Sequence, residues 1–99
     1  MKPKGRPIKT RYIKAEPVVA QFSPRGKPGR PNEIEITFDE YEAFRLADHK
    51  MMPHSAAGKV MGISRQTFER ILKKARNKVA DGISNGKILR IEGGKVKVG

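Results

Sequence analysis

Gly62-Ile63-Ser64-Arg65-Gln66-Thr67-Phe68 is the stretch whose reading decides the fold. Glycine tolerates the left-handed conformation that follows a helix C-terminus, so Gly62 ends one helix. Ser64 is a preferred N-cap and opens the next. Ile63, between them, is an apolar pin for the turn. Gly58, four residues before Gly62, supplies the small residue that lets two helices cross closely. Phe68 and Ile71 fall on the inward face of the second helix, while Arg65, Gln66 and Thr67 stand at its exposed start. These are the requirements of a helix-turn-helix, in which the start of the second helix meets base edges in the major groove. Arginine bonds guanine bidentately, glutamine bonds adenine, and threonine touches a thymine methyl. The helix N-terminus also favours phosphate.

The flanking sequence supplies the remaining helices. Thr37 and Glu40 have capping-box spacing, and Phe38, Tyr41 and Phe44 recur every three residues, which predicts a helix over about 38–49. Pro53 suits the first turn of a short helix through "HSAAGKVM". The long helix runs from Arg65 to Asn85-Gly86, with Phe68, Ile71, Leu72, Ala75 and Val79 on its apolar face. Gln66, Arg70, Lys73, Lys74 and Asn77 lie opposite. "PVVAQF" (17–22) reads as a short strand and "EIEIT" (33–37) as a half-buried one, joined by a Pro/Gly loop. "KILRIEGGKVKV" alternates around Gly93-Gly94 and predicts a C-terminal β-hairpin. Isolated hairpins are marginal, so these strands should form a small sheet with the N-terminal ones. The expected class is mainly α: a three-helix helix-turn-helix, akin to the winged-helix-like superfamily, with a small β-appendage. Its expected segments are a basic flexible arm (1–16), a strand-loop-strand segment (17–37), the helix-turn-helix domain (38–86) and the hairpin (87–99).

Net charge is +12 over 99 residues, unevenly placed. Residues 1–32 carry +8, residues 33–63 carry −3 and residues 64–99 carry +7. Two basic ends around an acidic middle suggest a polyanion met by two surfaces. Cysteine is absent, which excludes disulfides and thiol nucleophiles. No apolar run approaches the ~18 residues of a membrane span, and the basic start lacks the apolar core of a secretory signal. A cytoplasmic protein is expected.

"KGRP", "TFDEYEAFRLAD" and "AAGKVMGISRQTFERILKKARNKVADGISNGKILRIEGG" resemble a UPF/DUF-type uncharacterised family of small predicted DNA-binding proteins. The resemblance covers nearly the whole chain, and "MGISRQTFERIL" is its most specific part. It implies a helix-turn-helix similar to region 4 of sigma factors, and DNA binding without an established target. The chain departs from the family at Gly58, where alanine is usual, and in its extended "KVKVG" ending.

The function expected from the residues is sequence-specific binding of double-stranded DNA, as a transcriptional regulator. Arg65, Gln66, Thr67 and Arg70 are the candidates for base contacts. Ser64, Lys73, Lys74, Arg76 and Lys78 are the candidates for phosphate. Arg6, Arg25, Lys27 and Arg30 are the candidates for an arm. Gly5-Arg6-Pro7 and Gly29-Arg30-Pro31 resemble AT-hook cores, whose arginine lies in a narrow minor groove. Lys95 and Lys97 are candidates for a wing on the backbone. A homodimer and RNA polymerase are further partners this reading admits. The rivals are a helical hairpin acting as a protein-binding adaptor, with Asp39, Glu40, Glu42 and Asp48 as its exposed acidic face, and a non-specific nucleic-acid binder. His49 and His54, with Asp48 and Glu42 nearby, offer too few ligands to predict a metal, and the carboxylates sit at capping positions. Neither a cofactor nor an enzyme is expected. Met51 and Met52 are expected to fill gaps in the core.

Overall fold

The computed structural model describes residues 10–14, 16–26, 29, 31–94 and 96–99. Three helices form the centre, and five short strands are drawn from the two ends of the chain. Thr37 caps α1 (Phe38–Phe44) through a complete capping box: its hydroxyl accepts from the Glu40 N–H, and Glu40 Oε1 accepts from the Thr37 N–H at 3.0 Å. The helix continues as a π-helical turn over Arg45–His49, closed by the Lys50 N–H donating to Arg45 O. The span expected for this helix therefore holds, with its last turn wider than an α-helix. Met51 then turns the chain at φ 58° and is 77% exposed, so it is not core filler; Met52 is the one that packs on the core.

Pro53 precedes α2 (His54–Met61), and Gly62 ends it in the left-handed region at φ 72°. Ser64 caps α3 (Arg65–Asn85), and Gly86 terminates it at φ 62°. Ala43, Leu46 and Ala47 from the first helix, Ala57 and Met61 from α2, and Phe68, Ile71 and Leu72 from α3 make one buried cluster. The inward face read from the periodicity is thus the packed face, with Ala75 buried and Val79 half-buried beyond it.

The β-structure is where the sequence reading and the fold part. β2 (Gln21–Phe22), β3 (Glu33–Ile36) and β4 (Ile88–Ile91) form a mixed sheet in the order β2-β4-β3. β4 runs antiparallel to β2 and parallel to β3, with Ile34 opposite Leu89 and Ile36 opposite Ile91. β5 (Val96–Val98) belongs to a separate parallel pair with β1 (Arg11–Ile13). The C-terminal hairpin is therefore not formed: β4 and β5 pair with different N-terminal strands. The residues between them are held elsewhere, the Glu92 N–H donating to Ile36 O and Gly93 O accepting from the Phe38 N–H. Gly93 and Gly94 carry positive φ, but they redirect the chain between two sheets. Residues 11–13, expected in a mobile arm, are a strand instead, because Ile13 is an apolar plug 2% exposed. Where the "PVVAQF" strand was expected, Val18 is 97% exposed and only Gln21–Phe22 pair. The expected small sheet from both chain ends is nonetheless present.

The helix crossing depends on Gly58. A Cβ there would lie 3.1 Å from Ile63 O and 3.3 Å from Ser64 O, both backbone atoms of the turn. Alanine would gain up to ~1 kcal/mol of helix propensity but press on the turn, so the two effects oppose. Valine has no such compensation. Gly58→Val is expected to lose about 2 kcal/mol of stability in urea titration, as overpacking does. An unchanged midpoint would show that the turn yields freely.

Candidate nucleic-acid interface

Local chemistry builds the start of α3. Ser64 Oγ accepts from the Thr67 N–H at 3.1 Å and donates to Thr67 Oγ1 at 3.0 Å. That fixes the first turn and leaves Thr67 half-buried, its hydroxyl already engaged. Arg65 and Gln66 are exposed, as are Arg70, Lys73, Lys74 and Asn77 further along. Arg70, Lys73, Lys74 and Asn77 line one shallow depression. Arg70, Lys73 and Lys74 thus share one surface feature, and Arg65, Gln66 and Thr67 stand in the first turn of the same helix.

Other candidates lie elsewhere. Arg76 turns aside to Asp48, donating from Nε at 2.9 Å and Nη2 at 2.7 Å. The pair holds the Asp48 carboxyl below its ordinary pKa and raises that of Arg76. Lys78 Nζ donates to Glu35 O and Glu40 Oε1, both at 2.7 Å, and so ties α3 to β3 and to the cap of α1. Arg76, half exposed, and Lys78, less so, are thus each held by an ion pair within the fold. Arg25 is exposed beside Pro24, which lies with Gly82 and Ile83 near the far end of α3. Ile83 is eighteen residues from Arg65, about 27 Å at ~1.5 Å per residue, so Arg25 does not join the cluster. Arg6, Lys27, Arg30 and Lys95 lie outside the described residues. Lys97, in β5, is exposed.

Three of the four carboxylates expected on an exposed acidic face, Asp39, Glu40 and Glu42, are turned inward, while Asp48 is exposed. Asp39 and Glu40 are 8% and 6% exposed, and Glu42 is fully buried. Asp39 accepts from the Thr37 hydroxyl and lies 3.5 Å from Arg11. Glu42 accepts from Arg45 Nε at 2.7 Å and Nη2 at 3.1 Å, and from the Lys14 N–H at 2.6 Å. These three carboxylates are engaged by caps and ion pairs.

A family model described as a protein of unknown function, DUF134, matches residues 1–99. The chain belongs to the DUF134 family. A UPF0251 protein of Desulfosudis oleivorans is 52% identical over 90% of this chain and 65% of its own length. One from Methanococcus maripaludis strain C7 is 49% identical over 96% of this chain and 74% of its own. Another, from Thermoanaerobacter pseudethanolicus, is 43% identical over 94% and 80% respectively. This DUF134 chain therefore spans about two thirds of the Desulfosudis relative it matches. No solved structure is significantly similar. Among the described residues, no helix is long and apolar enough to cross a membrane.

Three features of this DUF134 surface escaped the sequence reading. His54 Nδ1 meets Glu69 Oε2 at 2.9 Å, linking the first residue of α2 to α3. Glu69 also lies 3.9 Å from Arg65, and hydrogen bonding to His54, aided by Arg65, holds its carboxyl below the ordinary value. Arg11 stands across a groove from Lys74. Tyr12, 45% exposed, lies against the turn: a Cβ at Gly62 would be 3.1 Å from its ring. Apart from Arg65–Glu69, which are four apart on one helix, no spacing in the sequence signals these pairs, since each joins residues from different elements.

Proposed function

We propose that this chain binds double-stranded DNA in a sequence-dependent manner, as a transcriptional regulator, with the N-terminal half of α3 in the major groove. The observation that carries the reading is the capped, exposed start of α3. Arg65, Gln66 and Arg70 there present side chains that can bond base edges, and the Thr67 methyl adds an apolar contact. Lys73 and Lys74 border that stripe and take phosphates; Ser64 adds a hydroxyl at the turn. Glu69 restrains Arg65 and tempers a surface that is otherwise cationic. The burial of Asp39, Glu40 and Glu42, which leaves only Asp48 of the four carboxylates expected on the acidic face exposed, disfavours an adaptor docking through that face.

The test is selection from a random duplex library by the purified protein at about 150 mM salt, near physiological strength. Enrichment of one motif supports sequence reading, and a palindrome would show two copies on one site. Salt-sensitive binding without enrichment would reduce the function to gripping phosphates. Within the selected site, Gln66→Ala should cost about 1–3 kcal/mol at one base pair and relax the preference there. Lys74→Ala should weaken all sequences alike. Equal losses on all sequences for Gln66→Ala would remove it from the base-reading set.

A further inference from the structure

The exposed stripe of α3 is bordered by two grooves of different make. One is lined by His54, Glu69, Lys73 and Arg76. The other, of about 530 Å³, lies between α3 and the β1–β5 lobe, with Lys74 on one wall and Arg11 on the other. A helix in a major groove meets a phosphodiester strand on either side. Lys73 and Lys74, adjacent in sequence, share the depression between them and each line one of these grooves.

The second groove has unspent donors. Lys74 is exposed and has no hydrogen-bond or ion-pair partner among the described residues. The Arg11 side chain is 19% exposed and its one ion pair among the described residues is long, 3.5 Å from Nη1 to Asp39 Oδ2. Its Nε is buried with no hydrogen-bond partner among the described residues, a position that ordinarily costs free energy. Of the two carboxylates lining the groove, Asp39 faces Arg11 through Oδ2 only, and its other oxygen and Glu40 Oε1 are held by other groups. Asp39 Oδ1 accepts from the Thr37 hydroxyl and the Glu40 N–H, and Glu40 Oε1 accepts from Lys78 and the Thr37 N–H. Gly94 completes the rim, close enough that a Cβ there would lie 3.1 Å from Asp39 Oδ1. Tyr12, the next residue along β1, covers the turn glycine, so the strand that carries Arg11 runs beside the entry to α3.

We propose that Arg11 and Lys74 together seat one backbone phosphate of the bound duplex in this groove, making the β1–β5 lobe a second DNA-contacting element. The assignment rests on the duplex-binding reading above. Two cations on one phosphate have a distinctive signature, because salt dependence counts phosphates neutralised rather than side chains. The slope of log affinity against log salt changes by about 0.9 for each phosphate lost from B-form DNA.

The experiment titrates a mixed-sequence duplex with wild type, R11Q, K74A and R11Q/K74A between about 50 and 200 mM salt. Each single variant is expected to weaken binding and lower the slope by less than the double. The double variant should lose about 0.9, one phosphate, against about 1.8 for two separate contacts. R11K should recover most of the affinity lost in R11Q. Thermal unfolding of each variant separates lost binding from lost fold, and R11K serves where R11Q unfolds: neutral methylphosphonate placed at each position in turn should then reveal one phosphate whose replacement makes wild type, R11K and K74A bind alike. An unchanged affinity in R11Q, a slope loss of about 0.9 in each single variant with about 1.8 in the double, or no such position would overturn the groove assignment while leaving duplex binding intact. Failure of the wild-type chain to bind duplex would overturn both.

Discussion

Phe68→Ala is expected to cost about 3–5 kcal/mol, the range for truncating a fully buried aromatic. Phe68 is fully buried at the centre of the cluster that joins all three helices, and its ring lies 5.6 Å from that of His54. Alanine would leave a cavity where α3 is held against α2, in a domain whose total stability is of order 5–15 kcal/mol. Urea titration of wild type, Phe68→Leu and Phe68→Ala checks this, with leucine losing markedly less. A loss below about 1 kcal/mol for alanine would mean that the crossing is held by something other than this side chain. The reading of Phe68 as an inward residue also requires that Phe68→Leu keep the sequence preference of the wild-type chain, since the ring touches no base.

Glu42→Ala is the second large effect. Glu42 is a fully buried carboxylate bonded to both the Arg45 guanidinium and the Lys14 N–H. Removing it strands a charge and a backbone donor together, and breaking a buried ion pair from one side costs about 3–5 kcal/mol. The cost belongs to the orphaned partner more than to the bond. Replacing both members, as Glu42→Leu with Arg45→Met, should therefore recover a large part of the loss. Denaturation midpoints of the two single variants and the double decide it. Additive losses would show that the pair is not energetically coupled.

These two residues also show what was legible in the sequence. Phe68 was readable because its role is local: it follows Ser64 by four residues and repeats with Ile71, Leu72 and Ala75 at helical spacing. The caps at Thr37, Ser64 and Gly62 were readable for the same reason. Each uses backbone groups within a few residues. Glu42 was not readable, because what buries it arrives from Lys14, 28 residues away. Lys78 reads as one more cation on a basic helix, and only the fold brings Glu35 and Glu40 to it. The exposed half of the candidate interface was legible because it lies on one helix. The Arg11 wall was not, because "RYI" is too short and too polar to signal a strand. The hairpin reading failed on partner choice: alternation marks a strand but does not say which neighbour it takes, and both halves found partners from the N-terminal segment.

The β1–β5 pair has a consequence for the order in which this chain folds. Arg11 pairs with Val96, 85 residues along the chain, and the Gly99 N–H donates to Ile13 O at 2.9 Å. Closing a loop of that length costs about 4 kcal/mol of chain entropy before any constant, and a pair of three-residue strands returns little of it until the helices have already drawn the ends together. The helical hairpin of α2 and α3, with contacts close in sequence, is expected to form early, and the strand pair last. By the same reasoning the pair should open first. Amide hydrogens of Ile13 and Gly99 are expected to exchange through a partial unfolding that leaves Phe68 and Leu72 protected. The chain then has a state in which the reading helix is intact but its flanking wall is undone. Grip on the duplex backbone and recognition of its sequence would thus be lost at different free energies.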